Sequence, residues 1–75
     1  MKTKILQIIA DALERDFDTM DINDEFREYE GWSSLAYLAV VSNIDDEFSI
    51  VIPIEDFRMC RTIAELARYI EEHQH

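Results

Sequence analysis

Few side chains in this 75-residue sequence are able to do chemistry, and Ser34 is the best placed of them. It stands where an apolar periodicity begins. Ser33 before it is of a type preferred at a helix N-cap, which leaves Ser34 in the first turn. Tyr37, Val41, Ile44 and Phe48, with Val40 beside them, step by 4, 3 and 4 and form one buried stripe. At ~100° per residue, Leu35 and Leu38 point well away from that stripe. They lie beside Ser34 on a face continued by Ala39 and Ser42. Ser34 is therefore expected at the surface, at a helix N-terminus, next to a small apolar patch. A phosphate carried on its hydroxyl would sit at the positive end of the helix dipole, near N–H groups that have no partner inside the helix.

The other reactive residues form no comparable constellation. A hydrolase built on Ser34, His73 and an aspartate would need an oriented base and an oxyanion hole in a sheltered cleft, which a histidine in a frayed tail does not provide. His73 and His75 lack the clustered partners of a metal centre, so no metal site is expected. Cys60 falls at an apolar position and reads as a small buried thiol. Residues 11–30 hold nine acids and two arginines, a net charge of −7. The ordinary reading is a solvated face. Weak recruitment of Ca²⁺ or Mg²⁺ by the same carboxylates is the sharper one, with no ligand set defined. Trp32 reads as a loop anchor packing on the helices.

Composition bounds what these residues can belong to. The chain carries 7 Lys and Arg against 17 Asp and Glu, a net charge of −10, and 48% of it is apolar. Residues 1–75 are expected to form a single domain. The apolar content is too high for a disordered acidic tail. So negative a surface repels phosphate backbones and anionic bilayers, which makes nucleic acid and anionic membranes poor candidates as partners. No apolar run reaches the ~20 residues of a membrane span. Gln7 and Asp11 interrupt the apolar start, which fits an amphipathic helix better than a secretory signal. One cysteine makes no internal disulfide, so no oxidising compartment is implied, and the chain is expected to be cytoplasmic. A monomer is expected. A core this small rarely supplies more than ~3–5 kcal/mol and can hardly enclose a deep, dry active site. The chain looks like something that other proteins grip.

The elements that position Ser34 follow from the apolar spacing. Residues 4–17 predict a helix, with Ile5, Ile8, Ile9, Ala12 and Leu13 on one face. Residues 18–33 have no periodicity and make a long loop, anchored by Met20, Ile22, Phe26 and Trp32. A structureless connection of that length is usually functional. The second helix spans about 34–48. Pro53 disfavours helix at Ile52, and Ile50 to Ile54 read as a buried connector. A short helix follows at about 55–59 and a last one at about 62–73, opened by a Thr62–Glu65 capping box and buried through Ile63, Leu66, Ala67 and Ile70. The expected fold is all-α, a small four-helix bundle of three main helices and a short third one.

Three segments now resemble the acyl carrier protein family, across nearly the whole chain. That family's pattern of phenylalanine, glycine five residues on, the modified serine three further and then leucine stands here as Phe26, Gly31, Ser34 and Leu35. Its acidic-Phe-x-x-x-Ile-Pro segment stands as Glu47-Phe48-Ser49-Ile50-Val51-Ile52-Pro53, and Thr62 to Ile70 is similar to its final helix. The resemblance implies a freestanding carrier, itself no enzyme. A phosphopantetheinyl transferase would place 4′-phosphopantetheine from coenzyme A on Ser34, and the arm would hold acyl or aminoacyl groups as thioesters. Loading, condensing or transferring enzymes with basic docking patches are the implied partners, in fatty acid, polyketide, nonribosomal peptide or cell-envelope synthesis. The alternative is a carrier-like interaction module that is never modified. The intact Ser34-Leu35 pair favours the working carrier.

Two departures sharpen the expectation. Ser33 replaces the aspartate usual before the modified serine, which preserves a helix cap but alters what a transferase meets. The ten residues after Ser34 carry no charge, and acids return only at Asp45, Asp46 and Glu47. Docking is thus expected to lean on Leu35, Leu38 and Ala39, with Asp45 and Asp46 steering partners from further off. The unusual Trp-Ser-Ser-Leu context points to a specialised carrier rather than the housekeeping fatty-acid one.

Overall fold

The computed structural model describes residues 2–74. Among them are four α-helices, α1 (Lys2–Leu13), α2 (Ser34–Phe48), α3 (Ile54–Met59) and α4 (Ile63–His73), and no strand. Two short 3₁₀ turns, Phe17–Thr19 and Phe26–Glu28, punctuate the long loop. α1 packs against both α2 and α4. Ile5 and Ile9 of α1, Val40 and Ile44 of α2, and Ile63, Leu66 and Ile70 of α4 meet in a core that shuts out solvent completely. Phe26 enters the same core from the loop.

α1 ends four residues earlier than its apolar spacing predicts. Glu14 takes a left-handed conformation (φ 53°). The Arg15 N–H then reaches back to the Ala10 carbonyl (2.9 Å) and the Glu14 N–H to that of Asp11 (3.3 Å). This pair of bonds is a Schellman stop, built here without the usual glycine.

The long loop is not structureless. Asp16 caps the first 3₁₀ turn by accepting the Asp18 N–H (3.1 Å). Glu25 bridges to Thr62, and the carbonyls of Ile22 and Asp24 accept the N–H groups of Ala64 (2.8 Å) and Ile63 (3.4 Å). The loop therefore satisfies part of the first turn of α4, whose four leading N–H groups lack intrahelical partners. Met20 and Phe26 are buried and Ile22 and Trp32 half-buried, so all four expected anchors hold the loop down.

Two burial expectations need correction. The buried line of α2 is Ala36, Val40 and Ile44, at i, i+4 and i+8, while Tyr37, Val41 and Phe48 flank it half-buried. The line is turned by about one residue from the predicted stripe because α2 packs on α1, and Val40 and Ile44 are the α2 residues that enter the shared core. Between α2 and α3 only Ile52 is buried; Ile50 is half-buried and Val51 exposed, and Ile54, also exposed, already opens α3. Over residues 50–53 burial alternates, as successive side chains of a non-helical, extended segment point to opposite sides, so the run cannot all face the core.

Candidate functional site

Ser33 starts α2 as the spacing predicts. Its Oγ accepts the Ala36 N–H (3.3 Å) and its carbonyl the Tyr37 N–H (3.0 Å). The N–H groups of Ser34 and Leu35 are left with no partner within the helix. Ser34 itself is exposed, in the first turn, on the rim of a cleft of about 350 Å³. Leu35 (80% exposed) and Leu38 (58%) stand on the surface beside it, and Ala39 is half-buried.

The cleft lies between the start of α2, the loop that precedes it and α3. Gly31 turns the chain into it at φ 92°, a conformation a side chain would strain although the space beside it is open. Trp32 then folds inward. Its ring meets Phe26 edge-on (centroids 5.3 Å apart) and lies parallel to Phe57 of α3 (6.3 Å). Phe57 is buried and also meets Phe26 (5.5 Å) and Tyr37 (4.9 Å) edge-on. This four-ring cluster docks the six-residue α3, too short to hold itself, against the start of α2.

Arg27 completes the dock. Its guanidinium donates to the carbonyls of Arg58 (2.9 Å) and Cys60, both orphaned at the end of α3, and lies over the Phe26 ring (5.5 Å). Sequence reasoning did not find Arg27. Its partners lie 31 and 33 residues away and are backbone atoms, which leave no mark in the sequence. Arg58 is exposed and lines the cleft on the α3 side.

The remaining candidates fall elsewhere. Asp45, Asp46 and Glu47 are exposed at the far end of α2, and Lys4 pairs with Glu47 at 3.7 Å. His73 is not frayed. It belongs to α4, stacks on Tyr69 (4.0 Å) and donates Nδ1–H to the Tyr69 carbonyl (2.8 Å). It shares a groove with Phe48 and Ser49, about 21 Å along α2 from Ser34 at ~1.5 Å per residue, so the two cannot act together. His75 lies outside the described residues. Burial pushes the Cys60 thiol above its ordinary pKa, with the negative Glu65 adding to the shift. Among the described residues no three His, Cys, Asp or Glu converge on a point where a metal ion could be held. Three loop carboxylates bond within the loop: Asp24 accepts the Tyr29 hydroxyl (2.6 Å) and the Asp21 N–H (3.1 Å), Asp21 the Asn23 N–H (2.8 Å), and Asp16 the Asp18 N–H.

An exposed serine at a capped helix start, bordering a cleft lined by aromatic rings and arginine, suits a covalently attached anionic group. The family described as "Phosphopantetheine attachment site" matches residues 3–70. The chain belongs to that family of carriers. Relatives named acyl carrier protein match it almost end to end. One from Clostridium perfringens (strain SM101 / Type A) is 30% identical over 73 residues, covering 97% of this chain and 96% of its own. One from Streptococcus thermophilus (strain CNRZ 1066) is 33% identical over 69 residues, 92% and 89%. One from Rickettsia bellii (strain RML369-C) is 26% identical over 74 residues, 99% and 86%. A carrier of this family is a substrate for other enzymes, not a catalyst, and its prosthetic group is 4′-phosphopantetheine. The residues present fit that group: a free hydroxyl, open N–H groups beside it, and a cleft lined by arginine and aromatic rings but by no carboxylate.

Proposed function

We propose that Ser34 Oγ is the attachment point of the 4′-phosphopantetheine arm and that the protein presents acyl groups to successive partner enzymes. The observation that carries this reading is the pair of adjacent serines with divided duties. Ser33 Oγ is occupied by the Ala36 N–H, whereas Ser34 is exposed in the first turn. In the transfer Ser34 Oγ attacks the pyrophosphate of coenzyme A. The Oγ–P bond forms, adenosine 3′,5′-bisphosphate leaves, and a base of the transferase takes the hydroxyl proton. When bound, the arm supplies a terminal thiol that holds the acyl group as a thioester. The protein's own part is to fix the root of the arm, offer N–H dipoles to its phosphate and present a surface.

That surface has two zones. Leu35, Leu38 and Ala39 border the attachment point with no charge among them. Asp45 and Asp46 follow about 16–18 Å along α2, at ~1.5 Å per residue. Enzymes with basic patches are drawn in by the acidic end and retained by the apolar one. The names of the relatives favour acyl over aminoacyl cargo. Incubation with coenzyme A, Mg²⁺ and a broad-specificity phosphopantetheinyl transferase should add one phosphopantetheinyl group to the intact mass, and none to Ser34→Ala. No gain with several transferases would favour an unmodified interaction module.

A further inference from the structure

The chain has 7 Lys and Arg against 17 Asp and Glu, yet two arginines and no carboxylate line the cleft beside Ser34. Most other cations are engaged. Lys4 pairs with Glu47, Arg68 with Glu72, and Arg15 lies over the Tyr29 ring. Of the two cleft arginines, Arg27 spends its guanidinium on the carbonyls of Arg58 and Cys60. The Arg58 guanidinium has neither an ion pair nor a hydrogen bond among the described residues, although Glu25 and Glu28 line the next groove along with it. So negative a protein places an unpaired cation on the cleft that Ser34 borders, and Arg27 holds that cation's backbone carbonyl.

Resting on the attachment at Ser34, we propose that Arg58 is the anion-binding residue of the arm. Its guanidinium pairs with the phosphodiester on Ser34 Oγ and lays the root of the arm over Trp32 and Tyr37. The chemistry matches in order along the arm. A guanidinium is suited to phosphate oxygens, which it can contact through two N–H groups at once. The branched, apolar carbons that follow the phosphate in pantetheine suit the aromatic wall beyond it. A cleft of about 350 Å³ lies at the small end of ligand sites and holds the root of the arm rather than its whole length. Arg27 acts as a positioning residue, fixing the end of α3 from which Arg58 projects.

The test uses holo-protein, with the mass gain on Ser34 verified first for every variant, so that failed attachment is separated from failed docking. The ³¹P resonance of the phosphodiester and proton contacts from the pantetheine geminal methyls to the Trp32 and Tyr37 rings are then recorded. Holo wild-type should show the contacts. Arg58→Gln should lose them and shift the phosphorus resonance, and raising salt from about 0.05 to about 0.5 M should act in the same direction. Arg61→Gln, which lies in the neighbouring groove but outside this cleft, should leave both readouts unchanged. The proposal is overturned if correctly modified Arg58→Gln keeps the wild-type contacts and resonance, or if Arg61→Gln alters them as much.

Discussion

Replacing Phe57 by alanine should undock α3 and open the cleft beside Ser34. Phe57 is 2% exposed, and its ring meets Phe26, Tyr37 and Trp32 at 5.5, 4.9 and 6.3 Å between centroids. Phe→Ala in a core costs about 3–5 kcal/mol. With a core that rarely supplies more than ~3–5 kcal/mol, the whole domain is expected near the low end of the roughly 4–11 kcal/mol that ~0.05–0.15 per residue gives. One truncation therefore removes a large share of the stability, because few other contacts hold a six-residue helix. Phe57→Leu keeps most of the volume and loses the edge-on ring pairs, worth about 0.5–1.5 kcal/mol each, so it should cost roughly 1–3 kcal/mol. Urea unfolding followed by far-UV circular dichroism and by emission of Trp32, the only tryptophan, measures both. Trp32 emission should also shift to the red in Phe57→Ala before the helical signal is lost, since its parallel neighbour is gone. An Ala variant within about 1 kcal/mol of wild-type, with unshifted emission, would refute the idea that Phe57 is the anchor of α3.

Three further outcomes follow from particular residues. Glu14→Gly should raise stability by about 0.5–1 kcal/mol, a Tm gain of several degrees, because Glu14 is held at a φ of 53° where a Cβ is unfavourable; an unchanged or lower Tm in a thermal melt would contradict this. Glu65 accepts the N–H groups of Thr62 and Arg61, which hold its carboxyl below the usual glutamate range. A depressed folded pKa gives stability that is present above the unfolded value of about 4.5 and lost as pH falls through the folded one. Glu65→Gln should thus flatten the acid limb of a Tm–pH curve below about pH 4.5, and an identical limb would count against the capping box as its origin. For partner enzymes, Leu38→Ala should slow turnover of the loaded carrier at any salt, while charge reversal at Asp45 and Asp46 should weaken it chiefly at low ionic strength. Charge reversal that abolishes every partner reaction, with Leu38→Ala harmless, would invert the proposed roles of the two zones.

What the sequence disclosed, and what it hid, divides along physical lines. Local signals carried through. Ser33 caps α2, the Thr62–Glu65 box opens α4, and Pro53 separates α2 from α3, each written in a few neighbouring residues. The end of α1 was hidden because its stop is a glutamate in a glycine's conformation, which no residue type announces. The centre of the α2 face was off by one position, since apolar spacing alone does not say which of two adjacent lines meets the neighbouring helix. The candidate site was half legible. Ser34 and its exposed neighbours Leu35 and Leu38 could be placed from spacing, because a helix start and one helix face are local properties. Arg27 and Arg58 could not, since their meeting with Ser34 depends on how α3 docks, and that rests on contacts between Phe26, Trp32 and Phe57 across the loop.

The central claim is that the arm sits on Ser34 and not on the serine beside it. Tandem mass spectrometry of a proteolytic peptide spanning residues 28–58 from holo wild-type protein, alongside Ser33→Ala and Ser34→Ala, tests it directly. The phosphopantetheinyl mass should localise to Ser34, persist in Ser33→Ala at the expense of about 1 kcal/mol of helix cap, and vanish in Ser34→Ala. Localisation to Ser33, or an unmodified peptide from wild-type protein after exposure to competent transferases, would contradict the account.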